Sequence, residues 1–273
     1  MAERLINSSA EIDSRDVRGW SALIHASFNG WAHAVDFLLQ HGASVNLCSN
    51  EGWNAIVIAY AYGHSDIVKL LQAYGGKFGD SFAKGALLQA YKNRNLSITK
   101  QLLSLDISPN FQYDSKNNLL ARSALDNEWA FAEEFILAGA DPNSRINNKL
   151  PIISHAIQQG QFQIVETLIK YGASVNLSDG NTYPIHFACR LNQIDTVKSL
   201  LQNGACIEVK DEDGDTPLIT AIKMDFYALA RFLISKGANP EQRNNKKKTA
   251  IDYVNMYISG AREINGLLTQ HHQ

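Results

Sequence analysis

Eight histidines and three cysteines hold most of the nucleophilic and metal-binding capacity of this 273-residue chain. A hydrolytic zinc would need His-Glu-x-x-His on one helix face, and a serine nucleophile a Gly-x-Ser-x-Gly elbow. Phosphoryl transfer would need a glycine loop of backbone N–H groups. None of these patterns occurs, and no Cys-x-x-Cys pairs the thiols. Cys48, Cys189 and Cys206 form an odd, sparse set without metal-ligand spacing, which reads as reduced thiols in a cytosolic setting. No catalytic residue, cofactor or metal is expected. Lys246-Lys247-Lys248 is the only basic run. It reads as a solvated turn beside the acidic Glu212, Asp213 and Asp215 rather than as a nucleic-acid contact.

Composition narrows the class further. With 45% hydrophobic and 19% charged residues the chain is expected to fold and stay soluble. A net charge of −2 creates no field that favours nucleic acid or an anionic membrane. The longest apolar run, Ala55 to Tyr62, is far short of the roughly 20 residues a membrane span needs. Met1 to Ile12 has no basic start before an apolar stretch, so no cleavable signal peptide is expected.

The elements that position these side chains show in a repeat. Gly-Ala pairs stand at 42–43, 139–140, 172–173, 204–205 and 237–238, with Gly75-Gly76 and a degenerate Asp106-Ile107 filling the gap. Their spacing of 31 to 33 residues marks a solenoid, in which each repeat buries its apolar face against its neighbours. The seventh repeat is the clearest. Asp211-Glu212-Asp213-Gly214-Asp215 predicts a tight turn, Thr216 an N-cap and Pro217 the first helical position. Leu218, Ala221 and Ile222 then recur at helical spacing. A second helix, Tyr227 to Lys236, carries Leu229, Phe232 and Leu233 on one face, and Gly237 ends it.

Gly214-Asp215-Thr216-Pro217-Leu218, Gly63-His64 and Gly42-Ala43-Ser44-Val45-Asn46 resemble the ankyrin repeat family over nearly the whole chain. The resemblance implies an all-α ankyrin-repeat solenoid of stacked helix-turn-helix units with β-turn or hairpin loops. One domain would run over 1–273: a partial N-terminal repeat at 1–15, seven full repeats over 16–243 and a divergent C-terminal capping repeat at 244–273. Leu5-Ile6 and Ser9 to Asp13 would close the partial repeat, and Glu263 to Gln270 would form the last helix. His64 and His186 would make structural hydrogen bonds. His25 and His155, each preceding a core alanine, also read as structural, and His271-His272 as tail. Asn46 and Asn176 resemble the sites of an animal asparaginyl hydroxylase, but a folded repeat hides the backbone such an enzyme extends, so no modification is expected.

Three repeats depart from the pattern. The third, at 80–112, lacks the turn glycine, the Thr-Pro and the terminal Gly-Ala. The fourth has Arg122 where the family has histidine, and in the fifth Pro151 is shifted by one position. Either the superhelix bends or loosens there, or local compensation keeps it regular.

In ankyrin-like proteins the partner lies along the turn tips and the exposed side of the first helices. Mapped onto this chain, that strip begins with Arg18, Trp20, Phe28, Asn29, Glu51, Trp53 and Tyr62, the expected partner-binding residues. It becomes polar in the middle and ends at Glu212, Asp213, Asp215, Lys223 and Met224. Trp20 and Trp53 follow successive turn glycines and are expected to point outward as binding anchors. The alternative is that each ring lies on the neighbouring turn and staples it. Trp31 and Trp129 are expected to pack. The function that follows is a non-enzymatic, monomeric, cytoplasmic scaffold that binds a protein partner through turn tips and concave helix face. Two alternatives stand beside it: a bacterial effector that binds a host protein in the host cytoplasm, and an enzyme with a site on repeats three and four around Lys84, Lys92, Arg94 and Asp126.

Overall fold

Short polar side chains start most first helices of the repeats. Thr216 Oγ1 accepts the Ile219 N–H at 3.3 Å, and Asn54 and Asn118 do the same for Val57 and Ala121 at 3.0 and 2.8 Å. The structure, a computed structural model, describes residues 11–78, 80–105 and 107–256. The expected elements at Leu5-Ile6, Ser9 and Glu263 to Gln270, Asp106 of the degenerate pair and the His271-His272 tail lie outside the described residues.

Fifteen helices are found among the described residues. In chain order they are α1 (Ala22–Phe28), α2 (Ala32–Gln40), α3 (Ala55–Ala61), α4 (Ser65–Ala73), α5 (Asp80–Lys92), α6 (Leu96–Leu103), α7 (Leu119–Leu125) and α8 (Trp129–Leu137). A two-residue antiparallel hairpin, β1 (Arg145–Ile146) and β2 (Leu150–Pro151), precedes α9 (Ile152–Gln158) and α10 (Phe162–Lys170). The remaining helices are α11 (Pro184–Arg190), α12 (Ile194–Gln202), α13 (Pro217–Lys223), α14 (Tyr227–Ser235) and α15 (Ala250–Met256). Between the two helices of each full repeat the chain passes through one left-handed residue: Gly30, Gly63, Arg94, Asn127, Gly160, Asn192 and Asp225. This series runs through the irregular third and fourth repeats, including the third, where the Gly-Ala pair fails.

The described residues group into two compact bodies, one drawn from 1–113 and 130–140, the other from 114–129 and 141–273. In the first, α1 packs on α2 and α3, and α3 packs on α4, α5 and α6 around Leu23, Ile24, Ile56, Ile58, Leu87 and Leu102. Tyr91 meets Phe131 and Phe135 edge-on at ring separations of 5.4 and 6.0 Å. The third repeat differs in kind. Its stretch before the interhelical turn is one 13-residue helix, α5, with no turn tip. Ala83, Ala86 and Ala90 face inward on it.

In the second body α9, α11, α13 and α15 follow one another, and α10 lies beside α12. Leu168, Leu200, Leu218 and Leu233 are fully buried. Pro151 is the residue just before α9 and pairs with Arg145 across the hairpin, one place short of the first helical position that Pro184 and Pro217 occupy. Thr249 and Asp252 cap α15 reciprocally: Asp252 Oδ2 accepts the Thr249 N–H at 2.9 Å, and Thr249 Oγ1 accepts the Asp252 N–H at 3.3 Å.

Asparagines clamp several repeats to the next, and Glu208 takes the same place before the seventh, its Oε1 accepting the Asn239 N–H at 2.7 Å. Asn46 Nδ2 donates to Gly75 O at 3.1 Å while its Oδ1 accepts the Lys77 N–H at 2.9 Å. Asn176 repeats this with Gly204 O and the Cys206 N–H, both at 2.9 Å. The side-chain amides of Asn46 and Asn176, which resemble hydroxylation sites, are thus engaged on both polar atoms.

Candidate partner-binding surface

The turn before α1 closes when Trp20 O accepts the Asp16 N–H at 3.0 Å; Trp53 O accepts the Ser49 N–H at 2.8 Å in the next repeat. Both side chains turn inward, although turn closure alone does not require it: Lys248 O accepts the Asn244 N–H in the same way at 3.0 Å, and Lys248 is exposed. The outward placement expected for both tryptophans is therefore corrected: Trp20 is 7% exposed and Trp53 6%. The Trp20 indole lies under the Arg18 guanidinium, 4.6 Å from the ring centre, with His25 and the edge of Phe28 at 5.0 and 5.3 Å. The following turn covers it. Asn50 donates its N–H to Arg18 O at 3.0 Å and its Nδ2 to Val17 O at 3.3 Å. Gly19 is required beneath it, because its φ is +76° and a Cβ there would stand 2.5 Å from Asn50 Oδ1.

Trp53 is covered differently. The third repeat has no turn tip to lay over it, and α5 takes that place. Gly85 of α5 approaches so closely that a Cβ would lie 3.2 Å from Glu51 O and from Gly52 Cα. Glu51 is half-buried by the same approach.

Of the expected binding residues, the structure joins four. Arg18, Trp20, Phe28 and Tyr62 form a continuous file, the last two meeting edge to face with ring centres 4.6 Å apart. Its outer members are accessible: Arg18 has a 56% exposed side chain, Tyr62 is 43% exposed and Phe28 half-buried. Burial of part of the ring raises the Tyr62 phenol above its ordinary pKa. Asn29 is exposed and donates its side-chain amide to His25 O at 2.8 Å. Glu51 and Trp53 stand outside this file. Trp31, expected to pack, is instead 59% exposed at the start of α2; Trp129 does pack, on His155 at 5.7 Å.

Four histidines make bonds that hold turns and repeats together. His64 Nε2 bonds Phe28 O in the preceding repeat at 3.1 Å, and His186 Nε2 bonds Asp215 O in the following one at 3.0 Å. His155 bonds Ala124 O at 3.3 Å, and His25 bonds Asp16 at 3.1 Å. Burial lowers the pKa of His155 and His186, so both are held neutral. Burial also raises the Cys189 thiol far above its ordinary range, which makes it a poor nucleophile. Asp126 is held by Arg122 at 2.6 Å, and Arg94 occupies the left-handed interhelical turn. Among the described residues no group of three or more His, Cys, Asp or Glu could hold a metal ion, and no helix is long and apolar enough to cross a membrane.

Sequence reasoning missed an ionic cluster in the second body. Asp215, expected in the exposed strip, is 2% exposed. Its Oδ2 pairs with Lys223 Nζ at 2.5 Å and its Oδ1 accepts Asn244 Nδ2 at 2.6 Å. Asp211 is also buried and pairs with Arg190 at 2.8 Å. Desolvation opposes the charge on Lys223, but the Asp215 carboxylate outweighs it and raises the lysine's pKa. The available signal was the Asp-x-x-x-Asp spacing with a cation one helix later, which looks the same as a solvated turn.

Helix pairs on a 31–33-residue period, several joined to the next by an asparagine side chain, define a repeat protein. A family model for ankyrin repeats in three copies matches residues 1–81, 120–211 and 179–244. The chain belongs to the ankyrin repeat family, whose repeats generally mediate protein–protein interactions. An ankyrin repeat protein of Acanthamoeba polyphaga mimivirus is 25% identical over 265 residues, covering 93% of this chain. The chain spans only 30% of that relative's length. Cyclin-dependent kinase 4 inhibitor B of Rattus norvegicus is 32% identical over 118 residues, 42% of this chain and 88% of that protein. The crystal structure of another ankyrin repeat protein is similar with a TM-score of 0.59 at 27% identity, covering 68% of this chain and 98% of that one.

Proposed function

We propose that this chain is a non-enzymatic cytoplasmic scaffold that holds a protein partner at the edge of its first two repeats. The file from Arg18 to Tyr62 carries the reading. Its two outer rings, Phe28 and Tyr62, are accessible, while its inner ring is locked beneath Arg18. Rigid aromatic side chains give contact area at little entropic cost and are frequent binding hot spots. Arg18 and Asn29 at the rim orient the partner, and Trp20 acts as the foundation of the patch instead of its contact surface. Trp53 has the same supporting role in the second repeat.

Site-specific photocrosslinking tests this. A benzoylphenylalanine at position 62 should trap a discrete protein from the cognate cell extract, whereas the same group at the exposed Lys236 should not. Equal labelling from both positions, or none from position 62, would argue against the patch.

A further inference from the structure

A cavity of about 100 Å³ lies beside the turn of the seventh repeat, between that turn and helices α11 and α13. Its walls include Arg190, Asp211, Asp213, Asp215, Thr220 and Lys223. We propose that it is a docking point for a lysine or arginine side chain of a protein partner, flanked in that partner by apolar residues.

Charge and hydrogen-bond inventory lead to this. Both cations are already committed, Arg190 to Asp211 and Lys223 to Asp215. The carboxylates of those pairs are committed too. Asp211 Oδ1 accepts the N–H groups of Asp213 and Asp215 at 3.1 and 3.0 Å, and Asp215 Oδ1 accepts from Asn244. The exposed Asp213 side chain makes no hydrogen bond or ion pair among the described residues. With two cations against three carboxylates the cluster keeps one net negative charge, which Asp213 presents at its exposed face while also contributing to the field at Lys223.

Thr220 supplies a second, independent observation. It is 4% exposed, lines the cavity, and its hydroxyl has no hydrogen-bond partner among the described residues. Such a group gains when a ligand completes its bonding. A guanidinium or ammonium brings donors only, so it can serve Asp213 and the Thr220 oxygen together. An anion entering the same space would meet three carboxylates.

The apolar flanks follow from the repeat. Leu191 and Met224 occupy the same position, directly after α11 and after α13, and are 47% and 46% exposed. Met224 is also part of the cavity wall. A segment with its basic side chain in the cavity would lay its neighbours across these two side chains.

Titration of the ¹⁵N-labelled full chain with Ac-Leu-Arg-Leu-NH₂, Ac-Leu-Lys-Leu-NH₂, Ac-Leu-Gln-Leu-NH₂ and Ac-Leu-Glu-Leu-NH₂ tests the proposal. A cationic peptide should give saturable amide shifts at residues 191, 213, 214, 220 and 224, with at least fivefold tighter binding than the glutamine peptide. Asp213→Asn should erase that preference and leave the melting temperature unchanged. Thr220→Val should weaken cationic binding two- to threefold. Preferential binding of the glutamate peptide would show that Arg190, Lys223 or the lysines at 246–248 dominate and would overturn the assignment. Equal binding of all four peptides, or shifts confined to other residues, would overturn it as well. None of these failures touches the aromatic patch, which is read at residues 28 and 62.

Discussion

Replacing Trp20 by alanine is expected to destabilise the first repeat by about 2 kcal/mol, although the residue follows a surface turn. The figure combines two opposing effects. Removing a buried indole forfeits its packing against His25, Phe28 and the Arg18 guanidinium and leaves a cavity, and such truncations cost roughly 3–5 kcal/mol. Against that, Trp20 Nε1 is buried with no hydrogen-bond partner among the described residues, a defect of about 1–3 kcal/mol that the alanine removes. Trp20→Phe separates the two, since it keeps most of the ring and deletes the N–H; it should cost less than about 1 kcal/mol by the same reasoning. Repeat arrays can open locally, so native-state hydrogen exchange at the α1 and α3 amides is the suitable assay. A loss below about 1 kcal/mol in Trp20→Ala would refute the burial. Equal losses in both variants would show that the indole N–H makes a bond after all.

Other outcomes follow from the same packing. Leu233→Ala, at a fully buried position on α14, should cost about 2–5 kcal/mol by urea denaturation, and a loss under 1 would mean the register is wrong. Asn46→Ala leaves Gly75 O and the Lys77 N–H without their partner and should cost about 1–2 kcal/mol, seen as faster exchange at Lys77. The second body should lose stability as pH falls. His155 and His186 have pKa values lowered by burial, so their contribution is fully present above the ordinary imidazole value of about 6.5 and is lost as pH drops through the lowered values. His186→Gln should flatten that dependence between about pH 7 and 5; an unchanged slope would dismiss His186 as its source.

The repeat and the Thr216 cap were legible from local chemistry, whereas His64 and His186 were legible only through the family resemblance, since their partners Phe28 and Asp215 lie in neighbouring repeats. A threonine or asparagine before an apolar run caps a helix wherever it stands, and the 31–33-residue period survives loss of the Gly-Ala pair in the third repeat, where the left-handed interhelical residue persists at Arg94. The orientation of Trp20 and Trp53 was not legible. It depends on what the next repeat lays over the turn, Asn50 in one case and α5 in the other. Helix α5, which turns alanines at 83, 86 and 90 inward and carries Gly85 within it, was not legible as one unbroken helix in place of a turn tip. The buried ionic pairs at Asp211 and Asp215 required the fold, because acidic turn residues look solvated until a cation from a neighbouring helix reaches them.

The claim that the accessible rings of Phe28 and Tyr62 hold the partner, while Trp20 behind them only supports them, is tested most directly by affinity. The protein trapped at position 62 should bind the double variant Phe28→Ala, Tyr62→Ala at least tenfold more weakly than the parent in a biolayer titration, since aromatic anchors commonly contribute about 2 kcal/mol or more. The variant's helical signal should be retained, because both rings lie at the accessible end of the file. Unchanged affinity in a folded variant would contradict the account.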